Sequence, residues 1–196
     1  MINQIKIIIL ALLLLVLSAF AFSFEVTKVY KERFPELRFI GKSYADGSDF
    51  GNKFGEWFQN NWFIELEKLG TSELTGNSEI ALAAFNANDD SVIAAWIGLF
   101  FPADTEVPEG FEYLDLPESD VGFVWIHGNE PSGELYSAGA YAATYQKLVE
   151  EGLGKLNENA GGTGISVVFQ LYNHERFIHD EEKNATLDYG RYIIVD

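Results

Sequence analysis

Apolar and polar positions along this chain follow two periods, and the switches between them mark the elements. Residues 37–43 read as a strand that ends at Gly41 and the turn-rich Ala45-Asp46-Gly47-Ser48. Ser48 or Asp49 then caps a helix. In it Phe50, Phe54, Trp57, Asn61, Ile64 (or Glu65) and Lys68 fall on one stripe. Phe58, Trp62, Leu66 and Leu69 form the adjacent stripe, and Gly70 is the C′ stop. So wide and aromatic an apolar face suits a helix lying on a sheet. Residues 80–86 and 92–101 are apolar strands separated by the turn Asn86-Ala87-Asn88-Asp89-Asp90. The second strand is apolar on both faces, as a central strand is, and Pro102 ends it. Pro108-Glu109-Gly110 makes a tight turn before residues 111–116.

The second half repeats this order. Residues 121–127 are a strand with Val121, Phe123, Trp125 and His127 on one face. A turn through Ser132, itself a cap candidate, leads to Leu135, Ala138, Ala142, Tyr145 and Val149 at helical spacing. Tyr141 and Leu148 flank that stripe, and Glu151-Gly152 closes it. Residues 153–164 form a Gly- and Asn-rich loop, residues 167–178 open as a strand, and residues 187–195 are the last strand. Residues 24–34 are mixed and polar and read as a lead-in. The halves share an order of elements but little residue identity. They predict an α+β fold: duplicated strand–helix–strand–strand halves forming a curved antiparallel sheet, two helices on one side and a central cleft. That cleft is the natural ligand position.

Along Val167-Val168-Phe169-Gln170-Leu171-Tyr172-Asn173-His174-Glu175-Arg176-Phe177-Ile178, strand parity puts Glu175 on the face of Val167, Phe169, Leu171 and Phe177. A carboxylate in apolar surroundings must be paired, wet or protonated. One reading makes Glu175 the acidic anchor at the wall of an aromatic pocket. The other is a strand end or bulge that turns it to solvent. A carboxylate ringed by Trp and Tyr would bind a cation by charge and by ring faces.

The chain has 196 residues, enough for one domain with a real core, and its 15% aromatic content argues against disorder. The net charge of -17 disfavours nucleic acid and suits cationic small molecules or a basic partner. With no Cys there are no disulfides, thiolate catalysis or Cys-ligated zinc. Residues 1–23 resemble a secretory signal: Lys6, an unbroken apolar run over 7–17, then Ser18-Ala19-Phe20-Ala21. Cleavage after Ala21 or Ser23 fits, and an uncleaved membrane anchor is the rival. Residues 24–196 are then a single exported domain, periplasmic or extracellular, touching a membrane only through residues 1–23 if these stay attached.

Four segments resemble the gyrase-inhibitor-like (GyrI-like) effector-binding domain, over residues 36–195. They are Phe39-Ile40-Gly41 with Glu56-Trp57-Phe58, and Gly98 with Pro108-Glu109-Gly110-Phe111-Glu112-Tyr113. The others are Phe123-Val124-Trp125-Ile126-His127-Gly128, and His174-Glu175-Arg176-Phe177 with Gly190-Arg191-Tyr192-Ile193-Ile194-Val195. The resemblance implies a duplicated fold with a central pocket, in which an acidic residue at the position of Glu175 meets cationic, lipophilic ligands. It implies pocket aromatics at Trp57 and Tyr192. The chain departs from the family with Phe177 for Tyr, Gly190 for an acid and Ile194 for Pro, and carries no helix-turn-helix. DNA regulation is therefore not carried over.

Trp57, Trp96, Phe100, Tyr136, Tyr141, Phe177, Tyr192 and Glu175 are thus the candidate ligand-binding residues. A hydrolase would use Glu175 as base with Tyr192 as its polar partner. An envelope protein-interaction module is the third possibility. No cofactor or metal is expected. His174 and His179 stand five apart, which is not a recognised ligand spacing, and haem at His127 rests on fold analogy with a related two-repeat family alone. No Gly-x-Ser-x-Gly, P-loop or dinucleotide fingerprint is present.

Overall fold

A computed structural model describes residues 24–45 and 49–195. The signal or anchor segment, the turn at residues 46–48 and the Ser48 cap lie outside the described residues. The elements are β1 (Phe24–Phe34), β2 (Leu37–Tyr44), α1 (Phe50–Gln59), α2 (Trp62–Glu67), β3 (Glu79–Asn86), β4 (Val92–Pro102), β5 (Glu112–Leu116) and β6 (Ser119–Asn129). Two short 3-10 turns follow, then α3 (Ala138–Glu150), β7 (Ile165–Tyr172) and β8 (Asn184–Ile193).

All eight strands form one antiparallel sheet in the order β1-β6-β8-β7-β3-β4-β2-β5. The two predicted halves are its two wings. From each edge inward, β1 or β5 comes first, then the half's first strand (β6 or β2), its last strand (β8 or β4) and, at the centre, its second strand (β7 or β3). β3 and β7 therefore meet at the midline, from Glu79 opposite Tyr172 to Asn86 opposite Ile165. The α+β class, the duplicated order and the curved antiparallel sheet are as the sequence pattern predicted.

The sheet curls away from the helices. Phe34 of β1 reaches Phe100 of β4, with ring centroids 6.3 Å apart, although those strands stand five places apart in the sheet. Their meeting closes a core of Phe34, Phe39, Phe100, Phe123, Phe169 and Tyr192 on the concave face. Two more clusters fill the helical side. One packs α3 on Val124, Leu187 and Tyr189, and the other packs α1 and α2 on Ile40, Ile97 and Leu99.

Several local expectations are corrected. The lead-in, residues 24–34, is strand β1, paired to β6 from Phe24 opposite Gly128 to Phe34 opposite Ser119. An edge strand wet on one side buries little, so its pattern looks polar. The predicted helix through Lys68 breaks at Asn60 and Asn61. Asn61 takes a left-handed φ of 57°, which Asn tolerates better than most residues. Asp49 stands at the N-cap position of α1, but its side chain makes no cap bond. The second-half helix starts at Ala138, not near Ser132. The Ser137 hydroxyl accepts from the Ala140 N–H at 3.1 Å and caps it.

Candidate functional site

A cavity of about 820 Å³ lies on the helical side of the sheet, over the midline where the two wings join. Its floor is built by strand parity. Ala81 and Ala83 of β3 and Ala95 of β4 face it with small side chains, and Gln170 and Tyr172 of β7 stand beside them. Methyl groups where large side chains would reach the helices leave the hollow. One wall is α1, through Phe50, Gly51, Phe54 and Phe58, whose four-residue spacing puts one stripe over the sheet. The opposite wall is Tyr136, Ala138 and Tyr141 at the start of α3. Phe177, from the connection between β7 and β8, closes one end.

The aromatic rings make a continuous lining around Tyr172. Its ring lies 5.1 Å from Phe54, 6.4 Å from Tyr136 and 4.9 Å from Phe177, centroid to centroid. Phe58 and Val92, both exposed, form the rim.

Two carboxylates line the cavity, and neither was singled out from the sequence. Glu79 opens β3, and its Oε2 lies 2.7 Å from His174 Nε2. Glu130 follows β6; its Oε1 accepts from the Tyr136 hydroxyl at 2.9 Å and its Oε2 lies 3.8 Å from His179 Nε2. Burial pushes the Tyr136 and Tyr172 phenols above the usual tyrosine range, and the Glu130 bond raises Tyr136 further. Both therefore keep their protons.

Those protons are committed within the protein. The Tyr189 hydroxyl donates to the Leu135 carbonyl oxygen at 2.7 Å, so its own oxygen must accept from Gln170 Nε2, also at 2.7 Å. That orients the Gln170 amide, whose Oε1 accepts from the Tyr172 hydroxyl at 3.1 Å. The Tyr136 hydroxyl, in turn, donates to Glu130. The phenols thus present lone pairs and ring faces to the cavity. With two carboxylates added, the walls favour positive charge. Behind Tyr141, the buried Arg191 guanidinium donates to the Tyr141 carbonyl oxygen at 2.7 Å and steadies the wall.

The structure gathers Tyr136, Tyr141 and Phe177 at the cavity and places the other candidates elsewhere. Trp57 is fully buried beneath α1, in the cluster packed on Ile40, Ile97 and Leu99 beside the cavity, where it donates to the Tyr44 hydroxyl at 3.0 Å and packs on Phe63 and Phe111. Trp96, Phe100 and Tyr192 belong to the concave-face core, across the sheet. Glu175 is exposed, because β7 stops at Tyr172 and the chain turns there. The turn is set by Asn173, whose carbonyl oxygen accepts from the Arg176 and Phe177 N–H groups and whose side chain accepts from Glu175 N–H. Strand parity cannot run through it, so Glu175 does not share the Phe169 face as its spacing suggested. That face is in any case closed core; the cavity lies over the Gln170 and Tyr172 face. Tyr192's hydroxyl is buried without a partner there, so the Glu175–Tyr192 pair of the hydrolase reading is not assembled.

The buried acid of this fold is a different one. Asp188 of β8 is 1% exposed and pairs with Arg176, whose guanidinium also covers the Trp125 ring at 4.2 Å. Burial pushes the Asp188 carboxyl up and Arg176 partly offsets this. An Asp between Leu187 and Tyr189 in an apolar strand was a readable signal for it. For the cavity, the Phe50–Phe54–Phe58 spacing and a lone Gln in β7 were the available signals. Nothing local marked Glu79 or Glu130. His127 Nδ1 lies 3.1 Å from Thr186 Oγ1. Among the described residues no group of three or more His, Cys, Asp or Glu could hold a metal ion, and no helix is long and apolar enough to cross a membrane.

No family model and no curated protein matches the chain. Solved structures do. SAV2435 bound to tetraphenylphosphonium aligns with a TM-score of 0.57 at 13% identity, over 85% of this chain and 94% of that one. A candidate bacterial transcription regulation protein from Staphylococcus aureus MU50 aligns at 0.52 and 14% identity, over 86% and 99%. The likeness is one of fold. This chain shares its fold with these two proteins.

Proposed function

We propose that this protein binds a lipophilic cation in the midline cavity. Phe54, Tyr136, Tyr172 and Phe177 would supply ring faces, and Glu79 and Glu130 the counter-charge. The observation that carries this is the polarity of the walls: two carboxylates, and the Tyr136 and Tyr172 phenols, whose O–H groups already donate within the protein. The Tyr136 and Tyr172 hydroxyls would turn lone pairs, not protons, toward an anion. The related fold of SAV2435 bound to tetraphenylphosphonium supports the same reading. The acidic anchor passes from Glu175 to these two glutamates, because Glu175 is exposed in the turn beyond β7.

Titration calorimetry with tetraphenylphosphonium tests it. Wild type is expected to bind, the Glu79→Gln/Glu130→Gln double variant to bind at least about tenfold more weakly, and Glu175→Gln to bind as wild type does. Wild type that binds no such cation, or binding indifferent to both carboxamides, overturns the reading.

We propose further that residues 1–23 export the domain. Cleavage after Ser23 would leave Phe24, the first residue of β1, as the new terminus, with the paired strand intact. Terminal sequencing of protein recovered outside the cytoplasm checks this. Full-length chain found only in the cytoplasm would refute it.

A further inference from the structure

Both carboxylates that line the cavity are engaged by histidines, and both histidines come from the β7–β8 connection. Glu79 Oε2 stands 2.7 Å from His174 Nε2, and Glu130 Oε2 stands 3.8 Å from His179 Nε2. Phe177 lies between the two in sequence and forms the end wall. The connection is fastened at several points. Glu130 N–H donates to the Lys183 carbonyl oxygen at 3.0 Å, Asn129 Nδ2 donates to the Glu182 carbonyl oxygen at 2.7 Å, and Arg176 pairs with buried Asp188. It holds the histidines against the glutamates rather than swinging away.

We propose that His174 and His179 are built-in competitors for the cation, so that affinity is linked to protons. This rests on the cation-binding reading above. Histidine gains its charge between about pH 8 and about pH 5. When charged, each His pairs with the carboxylate that the ligand needs. A bound cation then loses that counter-charge and meets a like charge at the rim. When neutral, each His leaves its Glu able to answer the ligand. Affinity therefore rises with pH, and binding a cation expels protons. The other groups facing these histidines do not reverse the sign. His174 meets Glu79 from β3 and Glu175 of its own turn. His179 meets Glu130, the Phe177 ring at 5.5 Å and its neighbour Asp180, while Tyr136 shares Glu130 and keeps its proton. The consequence is a site that loads a lipophilic cation in neutral surroundings and releases it in acid.

The test uses tetraphenylphosphonium, whose charge does not titrate, and N-phenyl-1-naphthylamine, a neutral apolar probe. For wild type, cation affinity should rise by roughly tenfold per histidine between about pH 5 and about pH 8, while the neutral probe binds equally throughout. The His174→Gln/His179→Gln variant should bind the cation at the lower pH as tightly as wild type does at the higher. Cation binding that is tight and flat with pH in wild type overturns this proposal and leaves the cation reading standing. A slope that survives in the double variant also overturns it, since the carboxylates themselves would then be titrating. Loss of the neutral probe in acid overturns it too, because the cavity itself would be collapsing. No cation binding at either pH, with the neutral probe bound, overturns both proposals.

Discussion

The ring of Phe169 lies against the α-carbon of Gly190, its partner across β7 and β8. A Cβ placed on Gly190 would fall 2.1 Å from Phe169 Cζ and 2.4 Å from Cε2, far inside contact distance. Phe169 is itself fully buried, touching Phe100 and Phe123 at ring-centroid distances of 5.2 and 5.8 Å, so it has nowhere to retreat. Gly190→Ala should therefore cost about 1–3 kcal/mol by overpacking. Urea unfolding measures it. Adding Phe169→Leu should recover part of the loss, so that the double variant is more stable than the two single costs summed.

The cavity persists because its floor is made of alanines, and filling it should abolish binding without harming the fold. Ala83→Leu places a branched side chain on the cavity floor. Tetraphenylphosphonium affinity should fall at least about tenfold, while thermal stability stays level or rises as the new side chain buries apolar area. Binding that is unchanged would mean that the cation sits elsewhere.

The Tyr189 hydroxyl is the hinge of the polar chain beneath the cavity. Tyr189→Phe leaves the Leu135 carbonyl and the Gln170 amide without their partner, a loss of about 1–3 kcal/mol. Because Gln170 and Tyr189 act on the same chain, Gln170→Leu combined with Tyr189→Phe should cost less than the sum of the two alone. An additive result in a double-mutant cycle would show that the chain is not coupled.

Asp180 organises the β7–β8 connection. The Asn184 side chain donates to it, and the Asn184 and Glu182 N–H groups add to this, which together hold its carboxyl below its ordinary 3.8. A depressed folded value means stability that is fully present above 3.8 and lost as pH falls through the lower, folded value. The stability difference between wild type and Asp180→Ala should thus be constant from neutral pH down to 3.8 and shrink below it. Urea midpoints on both sides of that pH decide the matter, and a difference that grows in acid would contradict the assignment.

The architecture was legible because periodicity carries it. The change from strand to helix spacing at Phe50, and the return of the same order after Pro117, sufficed for a duplicated α+β fold. β1 escaped notice because an edge strand with a wet face lacks a full apolar alternation. The helix break at Asn60-Asn61 escaped it because the stripe of Phe58 continues across the break in Trp62, Leu66 and Leu69.

The site was legible only in kind. Rings and an excess of acid along the chain were the readable signals, and of the named residues Tyr136, Tyr141 and Phe177 line the cavity. Which face of β7 looks into it is a property of the sheet's curl. The curl turns Phe169 and Tyr192 into closed core and Gln170 and Tyr172 toward the helices. Which acids matter depends on pairing at the midline, where Glu79 comes opposite Tyr172, 93 residues later in sequence. Residue order by itself determined the element types, the repeat and the chemical character of the protein, since these depend on contacts between near neighbours. Only the tertiary structure decided where the hollow lies and which carboxylates border it, because those follow from strands brought together across the chain.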